Sequence, residues 1–167
     1  MMKQYILFFS LIASMILGAC SSKSDPSPVS PSPVTPTPVA PTTADLIKKV
    51  WSANSVSWDG VVQYTKGGTA NLVAGYSQFK LDLSIAGSVT LTEFDGKKFT
   101  GSYSLSSDNK KLTLTGLTSS EGAPSGTNGA LELTISGNPT AVNLVLETNT
   151  TYIKATNKKV ALTLVNP

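Results

Sequence analysis

The chain of 167 residues contains no histidine, no arginine and a single cysteine, Cys20. Without histidine, neither a Ser-His-Asp triad nor a histidine-bearing zinc, copper or iron site can be assembled, and one cysteine makes no thiolate cluster. No metal and no cofactor is therefore expected. Arginine supplies the planar fork that reads phosphate and guanine bidentately, so its absence speaks against nucleic acid as a partner. Charge is also sparse, with 13 lysines against 10 acidic residues. Strand parity leaves few of those acids in a position to act. Asp82 and Glu132 fall on the polar side of their strands, and Asp59, Asp95 and Asp108 fall in turns. Only Glu93 shares the parity of the apolar Val89 and Leu91, and it is expected to close a hairpin opposite Lys97. One inward carboxylate cannot run two-carboxylate hydrolysis, which leaves a Ser-Lys dyad as the remaining catalytic option, and no enzyme is expected.

What the sequence does contain begins with MMKQYILFFSLIASMILGAC. Lys3, the apolar run from Tyr5 to Leu17 and the small Gly18 and Ala19 have the form of a cleaved export signal over residues 1–19. Thirteen helical residues reach roughly 20 Å, short of the roughly 30 Å of hydrocarbon that a spanning helix must cross. LGAC resembles the lipobox of bacterial lipoproteins, which implies acylation of Cys20 and a membrane partner reached through lipid. Ser21, where an Asp would signal retention, resembles the outer-membrane default, so a lipid-anchored place in the cell envelope is expected.

Residues 20–43 read as a stalk. Pro26, Pro28, Pro31, Pro33, Pro36, Pro38 and Pro41 are seven of the ten prolines, spaced so closely that neither helix nor sheet ladder can form. Extended polyproline conformation is expected there.

From Ala44 the pattern changes to one domain's worth of β-alternation, residues 44–167. A short helix comes first, with Thr42 or Thr43 as cap and Asp45 in its first turn. Phe79, Leu81, Leu83 and Ile85 then alternate with polar residues, as do Val89 and Leu91, Leu131 to Ile135, Val142 to Leu146, and Val160 to Leu164. A turn is expected at Asp59-Gly60. A three-residue loop, Phe94 to Gly96, opposes Leu91 to Phe99 and Val89 to Gly101. A tight loop at Asp108-Asn109 opposes Leu105 to Leu112 and Tyr103 to Leu114. Successive strands that are oily on one face must close on themselves, and the prediction is an all-β, antiparallel up-and-down barrel of about 8 to 10 strands with one short N-terminal helix.

The signal and lipobox, the stalk, the short helix, the early Trp51 and the meander SVTLTEFDGKKFTGSYSLSSDNKKLTLTGL together resemble bacterial lipocalin-like lipoproteins. The resemblance implies a barrel with an interior. An eight-stranded barrel either fills with side chains or holds one small ligand. Gly101 and Gly116 on the inner parity remove bulk beside Tyr103, so a small, largely apolar ligand is expected against Phe99, Gly101, Tyr103, Leu91 and Glu93, with Tyr103 as polar handle. The other reading is a surface interaction module with a solid core, contacting a protein or glycan through its hydroxyl-rich outer face or the polar loop from Thr118 to Gly129.

Overall fold

The computed structural model describes residues 38–167. The expected export signal, Cys20 and most of the proline stalk lie outside the described residues.

Helix α1, Thr43–Ile47, forms because Thr42 and Asp45 cap it reciprocally. The Thr42 hydroxyl accepts from the Asp45 amide at 3.2 Å, and the Asp45 carboxylate accepts from the Thr42 amide at 3.2 Å. Its Ile47 is fully buried and its carbonyl accepts from Trp51 Nε1 at 2.9 Å. That bond ties the helix to the first strand and satisfies the indole of a residue with no solvent exposure.

Among the described residues nine strands follow: β1 Val50–Trp58, β2 Val61–Thr65, β3 Lys80–Asp82, β4 Ser88–Thr92, β5 Lys98–Leu105, β6 Lys111–Thr118, β7 Leu131–Ile135, β8 Asn143–Thr148 and β9 Val160–Val165. Every pairing is antiparallel, in the order β2-β1-β3-β4-β5-β6-β7-β8-β9, and β1 also pairs with β9. Eight strands thus close a barrel and β2 is an extra strand beside the second half of β1. The predicted up-and-down barrel and its strand number agree with this architecture.

The registers follow the turns. Leu91 faces Phe99 and Val89 faces Gly101; Leu105 faces Leu112 and Tyr103 faces Leu114. Gly96, at φ +82°, supplies the left-handed residue of the β4–β5 loop, and Asp59-Gly60 turns β1 into β2. The interior is a single cluster of buried apolar side chains, among them Trp51, Leu81, Leu112, Leu144 and Leu164, all at or near zero exposure. Each such leucine removed from water contributes about 1.5–3 kcal/mol.

Three positions depart from the alternation. Ile85 is 69% exposed because Asp82 ends β3, accepting from the amide of Ser84 at 3.0 Å and from its hydroxyl at 2.6 Å. Val142 is 63% exposed because the Thr140 hydroxyl accepts from the amides of Val142 and Asn143, holding that turn outside β8. In β6 a bulge interrupts the pairing with β5: Gly116 takes φ +60° and faces outward, and Leu117 turns into the core in its place.

The free edge of β2 is covered from its own chain. The Asn71 side chain donates to the Thr65 carbonyl at 3.0 Å and accepts from the Thr65 amide at 2.8 Å, as a neighbouring strand would. The Val73 amide then donates to the Gln63 carbonyl at 3.1 Å.

Candidate functional site: an apolar cavity under a charged latch

The barrel interior is not completely filled. A cavity of about 40 Å³ is walled by Leu81, Leu91, Leu114, Leu133 and Leu162 from five of the strands. At about 10–15 Å³ per water, that is room for roughly three water molecules. Towards the β4–β5 end it is bounded by aromatic rings. Tyr76 comes from the 3-10 segment Ala74–Gln78 and Phe94 from the β4–β5 loop, with ring centroids 4.8 Å apart. Gly75 lets these two elements touch, since a Cβ there would collide with the Phe94 carbonyl oxygen. Trp58 packs against both rings and donates from Nε1 to the Tyr76 hydroxyl at 2.9 Å. Burial pushes the Tyr76 phenol up to about 12, so it stays protonated.

Polar groups on the wall are Glu93, Thr148 and Tyr152, apart from the Tyr76 hydroxyl already paired with Trp58. The Thr148 hydroxyl is occupied by the Val160 amide, which donates at 3.0 Å. Glu93 is 3% exposed and accepts from the Tyr152 hydroxyl and from Lys154 Nζ. The same ammonium donates to Asp95 at 2.8 Å and stands over the Phe99 ring, 5.7 Å from its centroid. Lys154 belongs to the short 3-10 segment Ile153–Ala155 between β8 and β9. Its bridge therefore joins that segment to the β4–β5 loop across the end of the barrel.

The electrostatics of this latch are set by burial against pairing. Burial raises the Glu93 carboxyl above the usual carboxylate range, although the Lys154 hydrogen bond and charge oppose it. For Asp95 burial also raises, but the bonds from Lys154 and the Lys97 amide prevail and hold it low. Burial lowers the Lys154 ammonium, and the bonds to Asp95 and Glu93 overcome this, so its pKa is raised.

The expected site residues are only partly brought together. Leu91 and Glu93 lie on the cavity wall. Phe99 is buried beside it, beneath Lys154. Tyr103 lies away from the cavity, its hydroxyl donating to the Leu83 carbonyl at 3.3 Å, near the end closed by α1. Gly101 opens no space: a Cβ there would stand 2.5 Å from the Thr115 carbonyl oxygen and 3.1 Å from the Gly116 carbonyl carbon. The bulge of β6 has already filled that wall. Lys97 is not the side-chain partner of Glu93; it pairs with Glu121, and its carbonyl only accepts from the Glu93 amide at 2.9 Å.

Sequence reasoning missed Lys154, Tyr152, Tyr76 and Phe94. Lys154 lies 61 residues from Glu93 along the chain, in the turn-like TYIKATNKK, and nothing local marks it as a partner. The available signal was Glu93 itself, an inward carboxylate that must find a cation.

No protein-family model matches this chain, and no curated protein does. Among solved structures it is similar to a lipocalin-like protein from Bacteroides uniformis ATCC 8492. The TM-score is 0.46 at 14% identity, over 71% of this chain and 96% of that one.

Proposed function

We propose that this protein is a non-enzymatic, lipid-anchored protein of the cell envelope whose barrel binds a small, largely apolar ligand. The observation that carries the binding half is the cavity, walled by leucines from around the barrel and bounded by aromatic rings on two loop elements. Its polar wall groups are already paired with the protein, which leaves an apolar surface for an occupant. A cavity of about 40 Å³ takes only a short chain as it stands. A larger body enters by displacing Tyr76, Phe94 and Tyr152, which sit on the 3-10 segment Ala74–Gln78, the β4–β5 loop and the connection between β8 and β9, outside the named strands.

An apolar fluorescent probe titrated into the full chain tests this directly. Saturable enhancement, competed by an unlabelled alkane alcohol, is expected; no uptake at any concentration would sink the binding reading. The anchor half rests on LGAC and the lone Cys20. Cys20→Ser is expected to abolish incorporation of labelled fatty acid, and persistent labelling would refute it.

A second reading, a surface interaction module, is favoured by a groove of about 480 Å³ on the outer face. There Lys80, Thr92 and Lys98 form one row across β3, β4 and β5, beside Asp82 and Thr90. Such a hydroxyl- and lysine-lined surface suits a polar partner such as a glycan. A protein that takes up no apolar probe and yet binds glycans through this groove would favour it over the cavity.

A further inference from the structure

The geometry points to a primary ammonium as the head group of the barrel's ligand, seated at Glu93 in the place that the Lys154 ammonium now holds. This rests on the cavity being a binding site and names the chemical class it selects.

The first support is that the position already accommodates an ammonium. Lys154 Nζ is held there by Glu93 and Asp95 above the face of Phe99, so carboxylate oxygens and a ring face are arranged around one cation. The second is the balance of charge. The β4–β5 loop contributes Glu93, Asp95 and Lys97, the Ile153–Ala155 segment contributes Lys154, and the loop after β6 contributes Glu121. Lys97 and Glu121 pair with each other, which leaves two carboxylates facing one ammonium. A second cation brings the cluster to neutrality.

The third support is continuity with the apolar space. Glu93 and Tyr152 are on the cavity wall, so a head group bonded to them has its tail among Leu91, Leu114 and Leu162. An incoming ammonium can donate to Glu93 and to the Tyr152 phenol oxygen, while Lys154 keeps Asp95, to which it is already bonded. Exchange therefore strands no charge. A ligand carboxylate would find two acids and a lysine already shared between them, and is disfavoured by the like charges.

The test is a matched series: n-hexylammonium chloride, 1-hexanol and sodium hexanoate, titrated into the full chain at neutral pH by calorimetry. The expected result is binding of the ammonium at least about tenfold tighter than the alcohol, since charge-assisted hydrogen bonds are roughly twice as strong as neutral ones. Hexanoate should bind more weakly than either. The ammonium-to-alcohol ratio should fall towards unity in Glu93→Gln and rise in Lys154→Met, which keeps the aliphatic stem but removes the resident competitor. Hexanol binding with no preference for the ammonium, or a preference for hexanoate, overturns the head-group assignment and leaves the apolar site standing. Binding of neither hexanol nor hexylammonium overturns both. The wild-type ratio decides the matter even if a variant fails to fold.

Discussion

Gly101 shows how far one residue's environment depends on a neighbour that alternation does not reveal. On parity alone it faces inward and leaves a gap, but the β6 backbone occupies that gap because the bulge at Gly116 pushes Thr115 and Leu117 towards it. Gly101→Ala is therefore expected to destabilise the fold by about 1–3 kcal/mol through overpacking against backbone that cannot rotate away, and Gly101→Leu by more. Urea unfolding measures this; an unchanged midpoint for Gly101→Ala would mean that the strand moves freely. Gly116→Ala makes the informative contrast. Space around it is open, so its cost is only that of a side chain at φ +60°, about 1–2 kcal/mol. The sequence carried one trace of the bulge: Leu114 and Leu117 are three apart in a strand whose other apolar residues are two apart. Registers set by tight turns, such as Leu91 against Phe99, were legible because a short loop leaves few alternatives. Lys154 over Phe99 was not, because that contact is made only when the barrel closes.

At the scale of elements, the latch is a bridge between two loops, and its groups titrate in opposite senses. Glu93 holds its proton more tightly in the folded protein than in the unfolded chain, because burial outweighs Lys154. From its ordinary 4.5 upward to its raised folded value the native state carries more protons than the unfolded one, so this group's contribution to stability falls as pH rises. Asp95 acts the other way. Its contribution is present above its ordinary 3.8 and is lost as pH falls through its lowered value. The Lys154 contribution, from a pKa raised above 10.5, is full at acid and neutral pH and is lost only as pH rises through that value. Comparing wild type with Glu93→Gln isolates the first effect. The wild type is expected to lose stability relative to the variant as pH is raised from 4.5, read as diverging urea midpoints across a pH series. A difference that stays flat would show that pairing with Lys154 fully offsets the burial of Glu93. The β4–β5 loop that presents Glu93 was predicted from Gly96, whereas the segment presenting Lys154 reads as featureless loop. A turn with a left-handed glycine has a local signature, and a 3-10 turn held by contacts to another loop has none.

For the molecule as a whole, closure is the governing fact: β1 pairs with β9, so residues more than a hundred apart must meet before the ring exists. Non-local pairing of this kind slows folding to the millisecond-to-second range. A fragment from Val39 to Pro167, which keeps the Thr42 cap, is expected to unfold cooperatively with a β-type circular dichroism spectrum. Broad, non-cooperative loss of signal would show that the barrel needs the preceding residues. The general architecture was readable from Phe79 to Leu164 because each strand declares which side is oily. That β2 stands outside the ring was not, since Val61 and Val62 are both apolar and both exposed. Those two valines give the Asn71 clasp on β2 a further meaning. An apolar, hydrogen-bond-hungry border is where like molecules stitch into fibrils when they are crowded. By occupying both bonding groups of Thr65 with a side-chain amide, the chain closes that docking slot to its own copies, so the molecules can be concentrated without a growing ribbon being seeded at β2.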